Sequence, residues 1–74
     1  MSQQQMFDVS LAEQIGEVKS ELEMRGRVYP RLISAGKLTQ RRADYQMERM
    51  RAVLRTLEWL YANRDAIRRR AGQP

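Results

Sequence analysis

The segment SAGKLT, residues 34–39, decides the fold, because it joins two stretches that both show the apolar periodicity of an α-helix. Gly36 is suited to follow the end of the first helix in a left-handed conformation, and Thr39 is suited to cap the start of the second. Two helices joined by so few residues must lie side by side and run in opposite directions. The segment therefore predicts an all-α fold, an antiparallel helical hairpin.

Apolar residues recur in steps of three or four on both sides of this turn, as they do in amphipathic helices. In the first helix the apolar stripe consists of Leu11, Ile15, Val18, Leu22, Tyr29 and Leu32, with Arg25 at one position of the same stripe. In the second helix it consists of Ala43, Met47, Met50, Leu54, Leu57 and Tyr61. We predict a single domain, with a flexible N-terminus at 1–8, helices at 9–35 and 40–70, a turn at 36–39 and a tail at 71–74.

Pro30 falls inside the first helical pattern. Proline has no backbone N–H, and its ring crowds the carbonyl group of the fourth preceding residue, here Gly26. Proline also biases Tyr29, the residue before it, away from the helical conformation. The sequence therefore predicts either a kink in a continuous helix or a break followed by a short helix.

The composition limits the chemistry that the chain can perform. Its 74 residues make one domain at most, and they include no Cys and no His. Disulfides, thiolate ligands and histidine general bases are therefore excluded, and the sequence contains no Gly-rich phosphate loop. We expect a protein that is not an enzyme and that has no catalytic residue, metal or cofactor. A domain this small usually needs support, so we expect it to self-associate.

The net charge of +5 is distributed unevenly. Residues 1–36 carry four basic and five acidic side chains, a net charge of −1, and residues 37–74 carry ten and four, a net charge of +6. Such a basic half indicates either an anionic partner or an arginine-rich helix surface in water. No apolar run is long enough to span a membrane, and the polar start is unlike a signal peptide. We expect a cytoplasmic protein without a membrane partner.

A second row of residues lies on the second helix, well away from its apolar stripe. At about 100° per residue, Trp59 lies about 140° and Tyr45 about 180° from Leu54. The row and its flanking arginines consist of Arg41, Tyr45, Ala52, Arg55, Trp59 and Ala66. One interpretation is that this face packs on another copy of the chain, forming a four-helix bundle or a larger homo-oligomer. The other is that Tyr45 and Trp59 contact nucleic-acid bases or a partner protein.

The basic residues around the kink and the turn form a second candidate site. These residues are Arg25, Arg27, Arg31 and Lys37. If the kink at Pro30 and the turn at Gly36 bring them together, they could bind the phosphate groups of a nucleic acid or a nucleotide, together with their counterparts in a second copy. Gly36 and Pro30 are explained by the fold alone, whereas the basic residues are not.

The segment VYPRLISAGKLTQRRADYQMERMRAVL, residues 28–54, resembles small helical proteins encoded by bacteriophages and prophages. These proteins combine a VYPRL-like segment, a Gly-Lys turn and a following helix that begins near an Ala-Asp pair. The resemblance carries no catalytic signature. It implies a bacterial host cell and an accessory protein that binds and modulates or inhibits a host or phage macromolecule, or that sequesters a nucleotide signal.

Overall fold

The structure of the chain is a computed structural model, which describes residues 8–72. Within these residues three α-helices follow one another: α1 at Leu11–Ser34, α2 at Gln40–Ala62 and α3 at Arg64–Ala71. The first two helices pack antiparallel as a hairpin, and α3 contacts only the end of α2. The predicted all-α hairpin is confirmed. The predicted flexible N-terminus lies outside the described residues except for Asp8.

The first helix begins with a capping box. The Ser10 amide donates to Glu13 Oε1 at 3.0 Å, and the Glu13 amide donates to Ser10 Oγ at 3.1 Å. The hydrogen bond from the Ser10 amide lowers the pKa of Glu13, and the Ser10 hydroxyl lowers it further. The box therefore stabilises the start of α1 above the unfolded pKa of about 4.3. That stabilisation is lost as the pH falls through the lower pKa of the folded state.

The helix continues through Pro30 to Ser34, so the predicted alternative of a break is wrong. Apolar packing on both sides of the proline explains why the helix continues. Tyr29 and Leu32 are half-buried against α2, and the Tyr29 hydroxyl donates to Gln46 Oε1 at 2.8 Å. These contacts hold the backbone in the helical path although proline supplies no hydrogen bond there. A kink within a continuous helix is the alternative that remains.

The turn has the conformation that its residues predict. Gly36 has a φ of 73°, which is a left-handed conformation, and the Lys37 amide donates to the Leu32 carbonyl at 2.9 Å. With the bond from the Gly36 amide to the Ile33 carbonyl at 3.0 Å, this is a Schellman motif. Thr39 caps α2 by accepting a hydrogen bond from the Arg42 amide at 3.1 Å.

Both predicted apolar stripes face each other across the hairpin, with one exception. The stripe residues of α1 are half-buried, as are those of α2 from Met47 to Leu57, and Ala43 is fully buried at 3% exposure. Tyr61 is exposed at 39%, because it lies beside the first turn of α1, where Ala12 covers little of its ring. The guanidinium carbon of Arg64 lies 4.1 Å from the centre of the Tyr61 ring instead, and Leu60 is half-buried in its place.

The predicted helix at 40–70 is interrupted at Asn63, which is a correction to the sequence prediction. Asn63 has a φ of −106° and a ψ of 13°, outside the usual helical values. Its side-chain amide donates to the Trp59 carbonyl at 2.8 Å, which the Asn63 backbone amide also contacts at 3.1 Å. Asparagine side chains commonly compete with the helical backbone in this way.

The hairpin is a single layer of helices. Its principal extents are 56, 27 and 15 Å, and the smallest is only slightly greater than the diameter of about 10–12 Å of one helix with its side chains. Among the described residues, Ala43 is the only one that is fully buried. No helix in residues 8–72 is long and apolar enough to cross a membrane. Both broad sides and both outer edges of the layer are therefore accessible.

Candidate functional site

The second row of residues predicted from the sequence lies on the side of α2 that points away from α1. We call this surface the outer face of α2, and it consists of Arg41, Tyr45, Ala52, Arg55, Trp59 and, in α3, Ala66. All six residues are exposed. Trp59 is exposed at 61% and Tyr45 at 52%, and the neighbouring Val53 is exposed at 48%. Because the opposite side of α2 forms the seam with α1, the hairpin does not use these side chains for its own packing.

The two aromatic rings of the outer face have different surroundings. The guanidinium carbon of Arg49 lies 4.9 Å from the centre of the Tyr45 ring, and Arg49 also donates a hydrogen bond to the Tyr45 hydroxyl. Arg49 thereby orients the Tyr45 ring. Within residues 8–72 no cationic group lies over the Trp59 ring, and its exposed part can contact another molecule.

Charged residues of both signs lie beside Tyr45 and Trp59 on the outer face. The Glu48 carboxylate lies 3.5 Å from the Arg55 guanidinium and 3.8 Å from that of Arg51. All three side chains are at least half exposed, so these ion pairs contribute little to the stability of the hairpin. Asp44 accepts a hydrogen bond from Gln40 at 2.9 Å beside the start of the row. The outer face is therefore mixed in charge, which favours a protein surface over a polyanion.

Arg25 differs from the other residues of the predicted anion site because its side chain is paired with a carboxylate. Arg25 Nε donates to Glu21 Oε2 at 2.8 Å, and the Arg25 side chain is only 24% exposed. This hydrogen bond raises the pKa of Arg25 and neutralises its charge locally. Arg27, Arg31 and Lys37 are exposed, and no carboxylate of the described chain lies within 4.0 Å of them. These three side chains remain available to an anion.

The hairpin brings further basic residues to the same end of the molecule. Residues 24–43 include no acidic residue and six basic ones. The segment runs up α1, through the turn and back down α2, so its net charge of +6 is concentrated at one end of the hairpin, which we call the turn end. Its basic residues are Arg25, Arg27, Arg31, Lys37, Arg41 and Arg42. The sequence prediction missed Arg42, which the absence of acidic residues between Glu23 and Asp44 could have indicated.

The described residues offer open surfaces instead of an enclosed site. A hollow at the start of α2 is bordered by Thr39, Arg41, Arg42, Tyr45 and two carboxylates, those of Asp44 and Glu48. In residues 8–72 no group of three or more Asp and Glu side chains could hold a metal ion. What the arrangement provides is an amphipathic helix face and a cationic end, and both are means of binding.

No protein-family model matches this chain, and no curated protein or solved structure is similar to it. The contacts and charges of the chain itself are therefore the basis for the proposals below.

Proposed function

We propose that this chain is a non-enzymatic accessory protein of a bacteriophage or prophage, which binds a host or phage macromolecule in the bacterial cytoplasm and so modulates or inhibits it. The resemblance of residues 28–54 supports the setting. The outer face of α2 supports the mode of action, a contact with a protein. The observation on which this contact rests is the 61% exposure of Trp59 on a regular helix.

The composition of the outer face resembles that of a protein interface. Trp, Tyr and Arg are the residues most often found where truncation to alanine strongly weakens binding. Trp59 exposes 61% of its surface, so a partner that covers it removes about 90–150 Å² from water, which at about 25 cal/mol per Å² is worth about 2–4 kcal/mol. Ala52 and Ala66 leave room for another helix to approach the backbone closely. A helical surface of a partner protein would fit this face.

Trp59→Ala is expected to weaken binding of the partner at least about 30-fold, since such contacts contribute about 2 kcal/mol or more. The partner is first identified by mass spectrometry after photo-crosslinking from position 56, because Thr56 is exposed beside Trp59 and its replacement leaves the tryptophan in place. Its affinity is then measured with purified components for the wild-type chain, Trp59→Ala and the control Val9→Ala. Val9 is exposed at 56% ahead of α1 and belongs to neither the outer face nor the turn end, so its substitution should leave the affinity unchanged. Equal affinities for all three chains would contradict the proposal.

A second candidate function is the binding of nucleic acid or a nucleotide at the turn end. The absence of acidic residues from 24–43 and the exposure of Arg27, Arg31 and Lys37 favour it. A phosphate partner would gain by releasing its counterions when these cations approach. Glu21 makes Arg25 a weaker contributor than the sequence indicates.

For this candidate, alanine at positions 27, 31 and 37 should strongly weaken binding of a short fluorescent oligonucleotide at low salt. The control replaces Arg68, Arg69 and Arg70 by alanine. It also removes three positive charges, but from α3, at the opposite end of the molecule from the turn. Affinity is measured by fluorescence anisotropy over a range of salt concentrations. The wild-type binding constant should fall steeply as the salt concentration rises. On a plot of its logarithm against the logarithm of the salt concentration, the slope should be smaller in magnitude by about two to three for the turn-end variant. Equal weakening in both variants, or insensitivity to salt, would exclude a site at the turn end.

A further inference from the structure

We infer that the protein surface that covers the outer face of α2 is the same face of a second copy, packed antiparallel with Ala52 at the crossing point of the two helices. This inference rests on the proposed function in keeping the outer face as a protein contact, but it places a second copy there instead of the host or phage target. A macromolecular target is then left to the surfaces that stay exposed in the pair, above all the two turn ends.

The sizes of the side chains fit such a crossing. Tyr45, Ala52 and Trp59 follow one another at intervals of seven residues, about 10 Å along the helix axis. Two packed helices cross at an angle, so they are closest at one point and diverge on either side of it. Ala52 allows the close approach. With the two-fold axis there, Tyr45 of one copy lies beside Trp59 of the other on both sides, where the gap between the helices is wider.

The charges beside the row fit the antiparallel direction. About a two-fold axis at Ala52, Glu48 of one copy lies beside Arg55 of the other, and the symmetry repeats this ion pair. Within one chain the same two side chains are already 3.5 Å apart and exposed, so they are free to pair across the interface as well. In a parallel pair, Trp59 would face Trp59 and Tyr45 would face Tyr45, so the gap between the helices would have to be wider on one side of Ala52 than on the other. The equal pairing of Tyr45 with Trp59 on both sides therefore favours the antiparallel arrangement.

The thin hairpin explains why a second copy is needed. Among the described residues only Ala43 is fully buried, and small domains with so little interior usually depend on association. The contact involves one helix of each copy, so we expect it to bury less than the roughly 800 Å² per partner of a standard interface. We therefore expect a reversible dimer that dissociates at roughly micromolar concentrations.

Cysteine crosslinking tests the position of the axis, because the chain contains no cysteine of its own. In the proposed pair, position 52 meets its own counterpart, so Ala52→Cys should form a disulfide-linked dimer under mild oxidation. Ala66→Cys is the matched control on the same face. Its counterpart lies 28 residues away along the antiparallel helices, about 42 Å. Crosslinking at both positions would indicate a parallel pair, and failure at position 52 would exclude this axis. Either result would overturn the inference.

A substitution that blocks the close approach gives an independent test. Ala52→Leu should weaken dimerisation at least about tenfold in sedimentation equilibrium, because the added atoms push the helices apart. Ala71→Leu makes the same change at the exposed end of α3 and should leave dimerisation intact. Alanine and leucine are both strong helix formers, so circular dichroism should show unchanged helicity.

The outcome for the wild-type chain separates this inference from the proposed function. A wild-type chain that stays monomeric at 500 μM, a concentration of order a hundred times the expected dissociation constant, would overturn the second copy as the partner. If position 56 then still crosslinks to another protein with the affinity pattern described above, the proposed function stands alone. If position 56 crosslinks neither to a second copy nor to another protein, both proposals fail.

Discussion

Ala43→Leu is expected to lower the stability of the hairpin more than any other substitution considered. Ala43 is 3% exposed and lies in the first turn of α2, beside Tyr29 and Ile33 of α1. Three extra carbon atoms at this position must push the two helices apart, and overpacking of this kind costs about 1–3 kcal/mol. A hydrophobic core of this size rarely supplies more than about 3–5 kcal/mol in total. The substitution therefore removes much of the available stability.

The effect of Ala43→Leu is measured by thermal unfolding followed by circular dichroism at 222 nm, at one fixed protein concentration. Ala71→Leu serves as the reference, because it adds the same atoms at a site where nothing is packed. A lower midpoint for Ala43→Leu, or the absence of a folded baseline, is the expected result. Identical midpoints would show that the seam near the turn is loose enough to accept a leucine.

Gly36→Ala and Gly16→Ala are expected to change stability in opposite directions. Gly36 has a φ of 73°, and any residue with a side chain is disfavoured in that conformation by about 1–2 kcal/mol. A Cβ atom on Gly36 would contact nothing within 4 Å, so the loss comes from the backbone conformation alone. Gly16 lies exposed in the second turn of α1, also without a neighbour within 4 Å, and alanine there should add up to about 1 kcal/mol.

The stabilities of the two glycine variants and the wild-type chain are compared by urea unfolding. The midpoint should fall for Gly36→Ala and rise for Gly16→Ala, with similar slopes if the unfolding surface is unchanged. A Gly36→Ala chain as stable as wild type would mean that the turn readily adopts another conformation. In that case the Schellman motif would not be what fixes the direction of α2.

The hairpin could be predicted because its determinants are local. Gly36 and Thr39 act through hydrogen bonds that span no more than five residues, and the apolar stripes need only the helical period. The two errors concern places where other interactions compete. At Asn63 the side chain takes the Trp59 carbonyl and interrupts the helix. At Tyr61 the period is correct, but Ala12 across the seam is too small to cover the ring, which a single helix pattern does not reveal.

The candidate surfaces were predictable to different degrees. The exposure of Tyr45 and Trp59 follows from helical geometry, since a helix with one seam must expose its opposite side. The role of Arg25 is harder to predict, because a basic residue on the stripe suits both an anion site and an ion pair. Glu21, four residues earlier, decides in favour of the ion pair. The concentration of charge at the turn end depends on the hairpin, which places Arg41 and Arg42 near the same end as Arg31.

The 15 Å thickness of the layer also bears on how long the protein survives in a cell. A hairpin held by one seam has mostly local contacts, and such folds open and close rapidly. An open chain is a protease substrate, and degradation follows the population of the open state. Any molecule that binds the folded form lowers that population by mass action. The lifetime of this protein is therefore tied to how often its surfaces are occupied, and copies without a partner are the first to be removed.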